Sequence, residues 1–137
     1  MMLHNPPLTI VATVPMVDLL NANQRNHWAN SSPKVKTLRE QGGWLMRERH
    51  KGRNYYFERC HINCTVYFPA KDRNRDTMNY YPTSKAHVDG FIDGKLAPND
   101  HEGFVIGPHL WPTAELSGIR GVAKFVYQIT HLDSTYE

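Results

Sequence analysis

The sequence predicts an α/β or α+β domain in which one small mixed β-sheet of about four strands carries two main helices. Segments of alternating apolar residues predict the strands, and stretches that begin with proline and repeat apolar residues at helical spacing predict the helices. Their order along the chain is β, α, β, α, β, β, which is typical of one sheet with helices packed on it. A chain of 137 residues fits a single domain over residues 1–137, with its core at about 8–132.

Four segments have the alternation of strands, and they cover residues 8–14, 55–68, 104–111 and 122–132. The third is a short strand or an extended arm. The second is the longest and places Cys60, Ile62, Cys64, Val66 and Phe68 on one face. In a strand the two cysteines lie about 13 Å apart, too far for a disulfide. We interpret them as reduced core residues, and a zinc or redox site as the alternative.

Two segments have helix signals. Ser32 is a suitable N-cap and Pro33 a suitable first residue, so the first helix is expected from about Pro33 to about Arg49,. Gly42 and Gly43 weaken it by about 1 kcal/mol each relative to alanine unless close packing requires them. The second helix is expected from Pro82 to about Asp93, with Gly94 at its C-terminus.

Charge and hydropathy describe an ordinary domain with a mild excess of positive charge. The net charge is +3, and basic residues concentrate in residues 47–59 and 71–75. Such runs are either a solvated surface or a surface for nucleic acid. No run approaches the ~18 apolar residues of a membrane span. Because "MMLHNPPLTI" lacks a signal-peptide pattern, we expect a cytoplasmic protein without a membrane partner,.

Ionisable side chains concentrate in "RDTMNYYPTSKAHVDGFIDG", residues 75–94. Asp76 follows the longest strand, and Lys85 and Asp89 share a helix face. The next loop adds Asp100 and Glu102, which a turn after the helix would fold back toward Asp76. Clustered carboxylates repel one another unless a divalent cation neutralises them, and oxygen ligands suit Mg²⁺ or Mn²⁺. A nearby lysine would offset charge on a phosphorane, so the pattern suggests phosphodiester hydrolysis.

Simpler interpretations stay open for the same residues. Asp93 before Gly94 is also typical of a polar helix end. Lys85 with Asp89 is also typical of a surface ion pair between residues four apart, which contributes a few tenths of a kcal/mol. Asp100 and Glu102 are also compatible with ordinary loop acids.

Residues 75–109 resemble the signature block of the RusA-like Holliday junction resolvases. That family has an Arg-Asp-x-Asp-Asn motif, then a lysine, an Asp-Gly-Leu on the following helix and an Asp-Asp loop before a strand. The upstream "LLNANQRNHWANSSPKVKTLRE" is similar to the Asn and His-Trp segment that precedes the family's first helix. The matches span about residues 20–108 in the family's order.

The resemblance implies a Mg²⁺-dependent endonuclease, with Mn²⁺ as a substitute. It assigns catalytic roles to Asp76, Lys85, Asp89 and Asp100, and metal binding to Asp76, Asp89 and Asp100. Met78 departs from the pattern because it stands where the second motif aspartate lies, and a thioether is a poor Mg²⁺ ligand. Asn99 likewise replaces the first acid of the acidic loop. Either another acid, such as Asp89, Asp93 or Glu102, completes the site, or activity is weakened or lost.

The resemblance also implies a homodimer of C2 symmetry that acts on four-way or branched DNA, typical of phage or prophage. Candidate DNA-binding residues are Arg25, His27, Lys71, Arg73, Arg75, Asn79 and Lys95. Trp28, Tyr80 and Tyr81 are candidates for stacking on exposed bases. Two alternatives stay open: a non-catalytic branched-DNA-binding protein, and a structure-selective nuclease without junction preference.

Overall fold

A computed structural model of the chain describes residues 6–23, 28–52, 55–98 and 103–132, and for residues 28–32 the backbone alone. It contains one mixed four-stranded sheet and two α-helices, so the predicted fold class is confirmed. In these described ranges no helix has both the length and the hydropathy needed to cross a membrane.

The elements follow the predicted order. They are β1 (Leu8–Pro15), α1 (Trp28–Arg49), β2 (Cys60–Tyr67), α2 (Tyr81–Asp93), β3 (Val105–Trp111) and β4 (Val122–His131). Short 3₁₀ helices occupy Met16–Asp18 and Thr77–Tyr80. The second of these runs directly into α2, so the residues before Tyr81 are held at the start of that helix.

The strands lie in the order β1, β4, β2, β3 across the sheet. β4 pairs antiparallel with both β1 and β2, whereas β2 and β3 are parallel. Two parallel neighbours need a connection that returns along the whole sheet, and α2 provides it. As a result, the start of α2 lies near the C-terminal end of β2, and its end lies near the N-terminal end of β2.

The alternating apolar residues form the core, as expected. Cys60, Ile62, Cys64 and Val66 of β2 are almost completely buried, and so are the alternate residues of β1 and β4. Both cysteines are free thiols. Burial raises the pKa of each thiol to about 12, so they remain neutral and unreactive near pH 7,.

Two predicted boundaries were wrong. α1 begins at Trp28, so Pro33 lies inside the helix and Ser32 is not its N-cap. The first four N–H groups of a helix have no intrahelical partner, so a proline at the sixth position removes only one available bond. β2 begins at Cys60, because the preceding backbone bonds elsewhere: the Phe57 N–H donates to the Leu96 carbonyl at 2.8 Å.

The two helices meet backbone to backbone at glycines. A Cβ on Gly42 would lie 2.3 Å from the His87 carbonyl oxygen, and one on Gly90 would lie 2.1 Å from the Arg39 carbonyl oxygen. Real Cβ atoms do not approach backbone atoms so closely. Close packing therefore requires glycine at Gly42, which answers the question that its poor helix propensity raised.

We expect Gly42→Ala to destabilise the protein by about 1–3 kcal/mol, because overpacking against a rigid carbonyl outweighs the gain of about 1 kcal/mol in helix propensity. Gly43→Ala is the matched control, since its Cβ would lie 3.2 Å from the flexible end of Arg47 and 3.3 Å from the Gly90 carbonyl oxygen, both farther than the 2.3 Å contact at Gly42. Urea unfolding of both variants measures the effect. Equal stability of the two variants would contradict the close-contact explanation.

Candidate functional site

Asp76 lies between β2 and α2, at the N-cap of the 3₁₀ helix Thr77–Tyr80. Its Oδ1 accepts a hydrogen bond from the Met78 N–H at 3.0 Å, and its carbonyl accepts one from the Asn79 N–H at 3.0 Å. The side chain is nevertheless exposed. Asp76 is thus a carboxylate with a fixed backbone that still faces solvent, as a ligand or phosphate-facing acid requires.

The loop after β1 is bonded to the start of α2. The Ala22 N–H donates to the Asn79 carbonyl at 2.7 Å. The buried Thr83 hydroxyl accepts from the Leu20 N–H at 2.8 Å and donates to the Leu20 carbonyl at 2.9 Å. The two sequence segments that carry the resemblance are therefore adjacent. The candidate residues Arg25 and His27 follow this loop but lie outside the described residues.

Lys85 and Asp89 form the ion pair that their spacing allows. The Lys85 Nζ lies 2.6 Å from the Asp89 Oδ1, and both side chains are partly exposed on α2. Asp89 is eight residues after Tyr81, about 12 Å along the helix axis. This ion pair fixes the position of the Lys85 ammonium group, because Asp89 holds it from one helical turn away.

Asp93 connects the two helices through an ion pair. The Arg39 Nε and Nη2 donate to its two carboxylate oxygens at 2.6 and 2.9 Å, joining α1 to α2. These hydrogen bonds from Arg39 hold the pKa of Asp93 below its usual value,. Asp93 therefore has the role of a polar helix end rather than that of an open metal ligand.

The described parts of the chain contain no group of three or more His, Cys, Asp or Glu side chains that could hold a metal. Asp76 is open, Asp89 is paired with Lys85, and Asp93 is paired with Arg39. Asp100 and Glu102 lie outside the described residues. On their own, the described carboxylates of one chain do not fit a Mg²⁺ ion, and Mg²⁺ binding stays a prediction.

The residues that flank the acidic loop lie at the opposite end of the sheet from Asp76. On one flank, Leu96 bonds to Phe57 just before β2; on the other, Phe104 bonds to Cys60 at the start of β2 at 2.8 Å. Asp76 belongs to the other end, where Tyr80 packs on Phe68 with ring centroids 5.1 Å apart. β2 has eight residues, so the two ends are about 23 Å apart.

The candidate DNA-binding residues divide between these ends. Lys71 and Arg73 are exposed in the loop before Asp76. Arg75 is held by its neighbours: its guanidinium covers the Phe68 ring at 4.1 Å and donates to the Ala70 carbonyl at 3.0 Å. Lys95 lies beyond the C-terminal end of α2, away from the other basic candidates.

Aromatic and apolar side chains border Asp76. Tyr80 is packed against the core, whereas Tyr81 is 39% exposed and Met78 is 55% exposed. Tyr81 is therefore the accessible member of the tyrosine pair. Only the backbone of Trp28 is described.

A buried polar chain that was not predicted from the sequence joins α2 to the sheet. The His87 Nδ1 lies 2.6 Å from the Tyr127 hydroxyl, and its Nε2 lies 2.7 Å from the Gln41 Oε1. The Gln41 Nε2 donates to the Thr13 carbonyl at 2.9 Å, which turns its oxygen toward His87. Nε2 of His87 is therefore the donor and Nδ1 the acceptor of a neutral imidazole. The signal was the spacing Thr83, His87, Phe91, which places His87 on the buried helix face.

A pair of histidines lies on the opposite face of the sheet. The His61 Nε2 on β2 is 3.0 Å from the His109 Nδ1 on β3. Partial burial and the nearby His109 both lower the pKa of His61. Strand alternation would have placed His61 outward, but the pairing depends on a register shift between β2 and β3 that no local pattern shows.

No protein-family model matches the chain, and no match was found among curated proteins. The resemblance to RusA-like resolvases therefore continues to depend on its motifs alone.

His87 makes stability dependent on pH. Burial lowers the pKa of His87 to about 3, whereas an unfolded histidine titrates near 6.5,. Below about pH 6.5 the unfolded chain binds a proton that the folded chain does not, so stability is lost by about 1.4 kcal/mol per pH unit as pH falls toward 3.

We expect His87→Gln to remove this component of the pH dependence while lowering stability near pH 7. Urea unfolding of wild type and variant between pH 7 and 4 measures how the free energy of unfolding of each depends on pH. The difference between the two slopes isolates His87, because the other titrating groups contribute equally to both. Parallel pH profiles would show that His87 does not remain neutral in the folded chain.

Proposed function

We propose that the chain is a structure-selective endodeoxyribonuclease of RusA-like type, which cuts four-way or branched DNA as a homodimer. The observation that carries the proposal is the hydrogen-bonded contact of its two motif segments, through Ala22 with Asn79 and Leu20 with Thr83. Segments about 60 residues apart in sequence (Leu20 to Thr83 is 63) meet at the 3₁₀ helix that the exposed Asp76 caps and at the start of α2. The exposed Lys71 and Arg73 add positive charge beside it, as a phosphate backbone requires.

Each side chain has a distinct part in this proposal. Asp76, fixed at a 3₁₀ N-cap, would hold Mg²⁺ beside the scissile phosphate together with an acid of the composite site proposed below,. Lys85 stabilises negative charge that develops on the phosphate, and Asp89 acts as a positioning residue by holding the Lys85 ammonium at 2.6 Å,. When bound, Mg²⁺ would supply charge neutralisation and an activated water. Cleavage of two opposed strands then needs two copies of the site, which a C2 dimer provides.

We further propose that each active site is composite. Asp76 and the flanks of the acidic loop lie toward opposite ends of β2, whose eight residues span about 23 Å,. Asp100 follows the last described residue of that flank, Pro98, by two positions, and two residues span at most about 7 Å,. Within one chain, the described flanks of the acidic loop therefore lie far from Asp76. A dimer that places the acidic loop of one subunit beside Asp76 of its partner would unite the two acids.

The second candidate function is non-catalytic binding of branched DNA. One observation favours it: the side chain of Met78, at the motif position of the second aspartate, is exposed next to Asp76. A neutral thioether there supplies no oxygen ligand. This candidate and the nuclease share the basic surface and differ only in chemistry.

We expect Asp76→Asn to lower cleavage of a synthetic four-way junction in Mg²⁺ or Mn²⁺ by at least about 100-fold. Even outer-shell partners of a metal cost about 10–100-fold when they are removed, and a direct ligand should cost more. Asp18→Asn is the matched control, because Asp18 is an exposed acid outside the site. Gel assays of cleavage and of binding are run together. Junction binding without cleavage by wild type in either metal would overturn the nuclease and support the binder.

The composite site is tested by mixing two inactive variants, Asp76→Asn and Asp100→Asn. In a mixed dimer, the shared arrangement leaves one site with both acids intact. We expect nicking at about a quarter of the wild-type rate, since half of the dimers are mixed and one of their two sites works.

The control for mixing pairs Asp76→Asn with the Asp76→Asn/Asp100→Asn double variant, which leaves no intact site in any arrangement. Native mass spectrometry verifies that subunits have exchanged. Exchange without recovery of nicking would show that each subunit supplies its own site.

A further inference from the structure

A groove lies beside Asp76, between the basic loop after β2 and the loop after β3. Its volume is about 380 Å³, within the range of about 300–1,000 Å³ that small-molecule sites occupy. One wall is formed by residues 70–73 together with Arg75 and Thr77, and the other by residues 112–116. Thr77, the residue after Asp76, contributes to the lining, so the groove opens next to the candidate site.

Backbone bonds hold both walls in place. Phe68 forms a parallel bridge with Leu116, and the Ser117 N–H donates to the Phe68 carbonyl at 2.9 Å. The Ser117 hydroxyl in turn donates to the Val122 carbonyl at 2.7 Å, which joins this loop to β4. The groove is therefore a preformed feature of the fold.

The lining combines apolar surface with positive charge. Pro112, Ala114 and Leu116 present apolar atoms, and Leu116 is 45% exposed. Arg75 is held over Phe68 and bonded to the Ala70 carbonyl, so its planar guanidinium is fixed at the floor. Asp72 lies 4.0 Å from Arg75.

Two cations at the rim are available to an anion. Lys71 and Arg73 are exposed, and neither has an ion-pair partner in the part of the chain that the structure describes. Glu115 is the acid on the opposite wall. A preformed slot with apolar walls, a planar cation and two rim cations is complementary to a base and sugar joined to phosphate.

We propose that this groove binds one nucleotide of a DNA strand, adjacent to the phosphate that Asp76 faces. The base and sugar contact Pro112, Ala114 and Leu116, and the phosphate lies between Lys71 and Arg73. This inference rests on the proposed function for DNA as the ligand and adds the subsite that holds the neighbouring nucleotide. A base held in this groove would give the enzyme a place to sense sequence next to the cut.

The direct test titrates the full chain with trideoxythymidylate and follows backbone amides by ¹H–¹⁵N NMR. We expect saturable shifts confined to residues 70–77 and 112–116. Ala114→Trp fills the groove from an exposed position and should weaken binding at least about tenfold, as loss of one stacked base would. Arg73→Gln, a surface change that does not threaten folding, should weaken it in the same direction.

The matched control is Thr37→Trp in a second groove of about 450 Å³, lined by Thr13, Asp18 and Lys34 among others. It should leave binding unchanged. Shifts that avoid residues 112–116, or that survive both Ala114→Trp and Arg73→Gln, would overturn the proposal. Inorganic phosphate that reproduces the full shift pattern with equal affinity would also overturn it, because the groove would then bind an anion alone.

The nucleotide titration and the junction-cleavage assay together separate this inference from the proposed function. Trideoxythymidylate binding in the groove by a protein that does not cut junctions would support the subsite and refute the nuclease. Junction cleavage by a protein whose groove shows no nucleotide shifts would do the reverse.

Discussion

The close approach of α1 and α2 is the constraint on which the rest of the structure depends. Backbone atoms of one helix occupy the space where a side chain of the other would begin, at Gly42 and again at Gly90. Gly94, the residue after α2, is also closely packed, since a Cβ there would lie 2.8 Å from the Met46 Cβ and 3.0 Å from the Gly43 carbonyl oxygen. α2 continues directly from the 3₁₀ helix that Asp76 caps. The distance at which α2 packs against α1 therefore sets where Asp76 and Lys85 reach the surface.

A polar connection fixes the register of α2 against the sheet. His87 can satisfy both ring nitrogens only when it faces Tyr127 on β4 and Gln41 on α1 at once. An unpaired buried polar group costs about 1–3 kcal/mol, so a slip of the helix by one turn would be expensive. The glycines thus allow the helices to approach, and the His87 chain selects one position among those that close approach permits.

Local patterns predicted those parts of the fold that depend on neighbouring residues. Strand alternation gave the buried faces of β1, β2 and β4, and the spacing of Lys85 and Asp89 gave their contact. The predicted start of α1 was wrong. Ser-Pro is a strong local signal for a helix start, but the one hydrogen bond that the proline removes does not end a helix,. The His61–His109 pair and the groove at Leu116 depend on strand register and on a bridge between distant residues, which no local pattern contains.

The arrangement of the acids illustrates the same limit at the site itself. A loop that follows a helix can fold back in many chains, which made Asp76 and Asp100 look like partners within one site. Parallel pairing of β2 and β3 makes α2 carry the chain the full length of the sheet before β3 begins,. The described residues that flank the acidic loop therefore lie at the opposite end of β2 from the 3₁₀ helix that Asp76 caps. In the proposed composite site, the symmetry that cutting two strands requires would bring the acidic loop of one subunit to Asp76 of its partner.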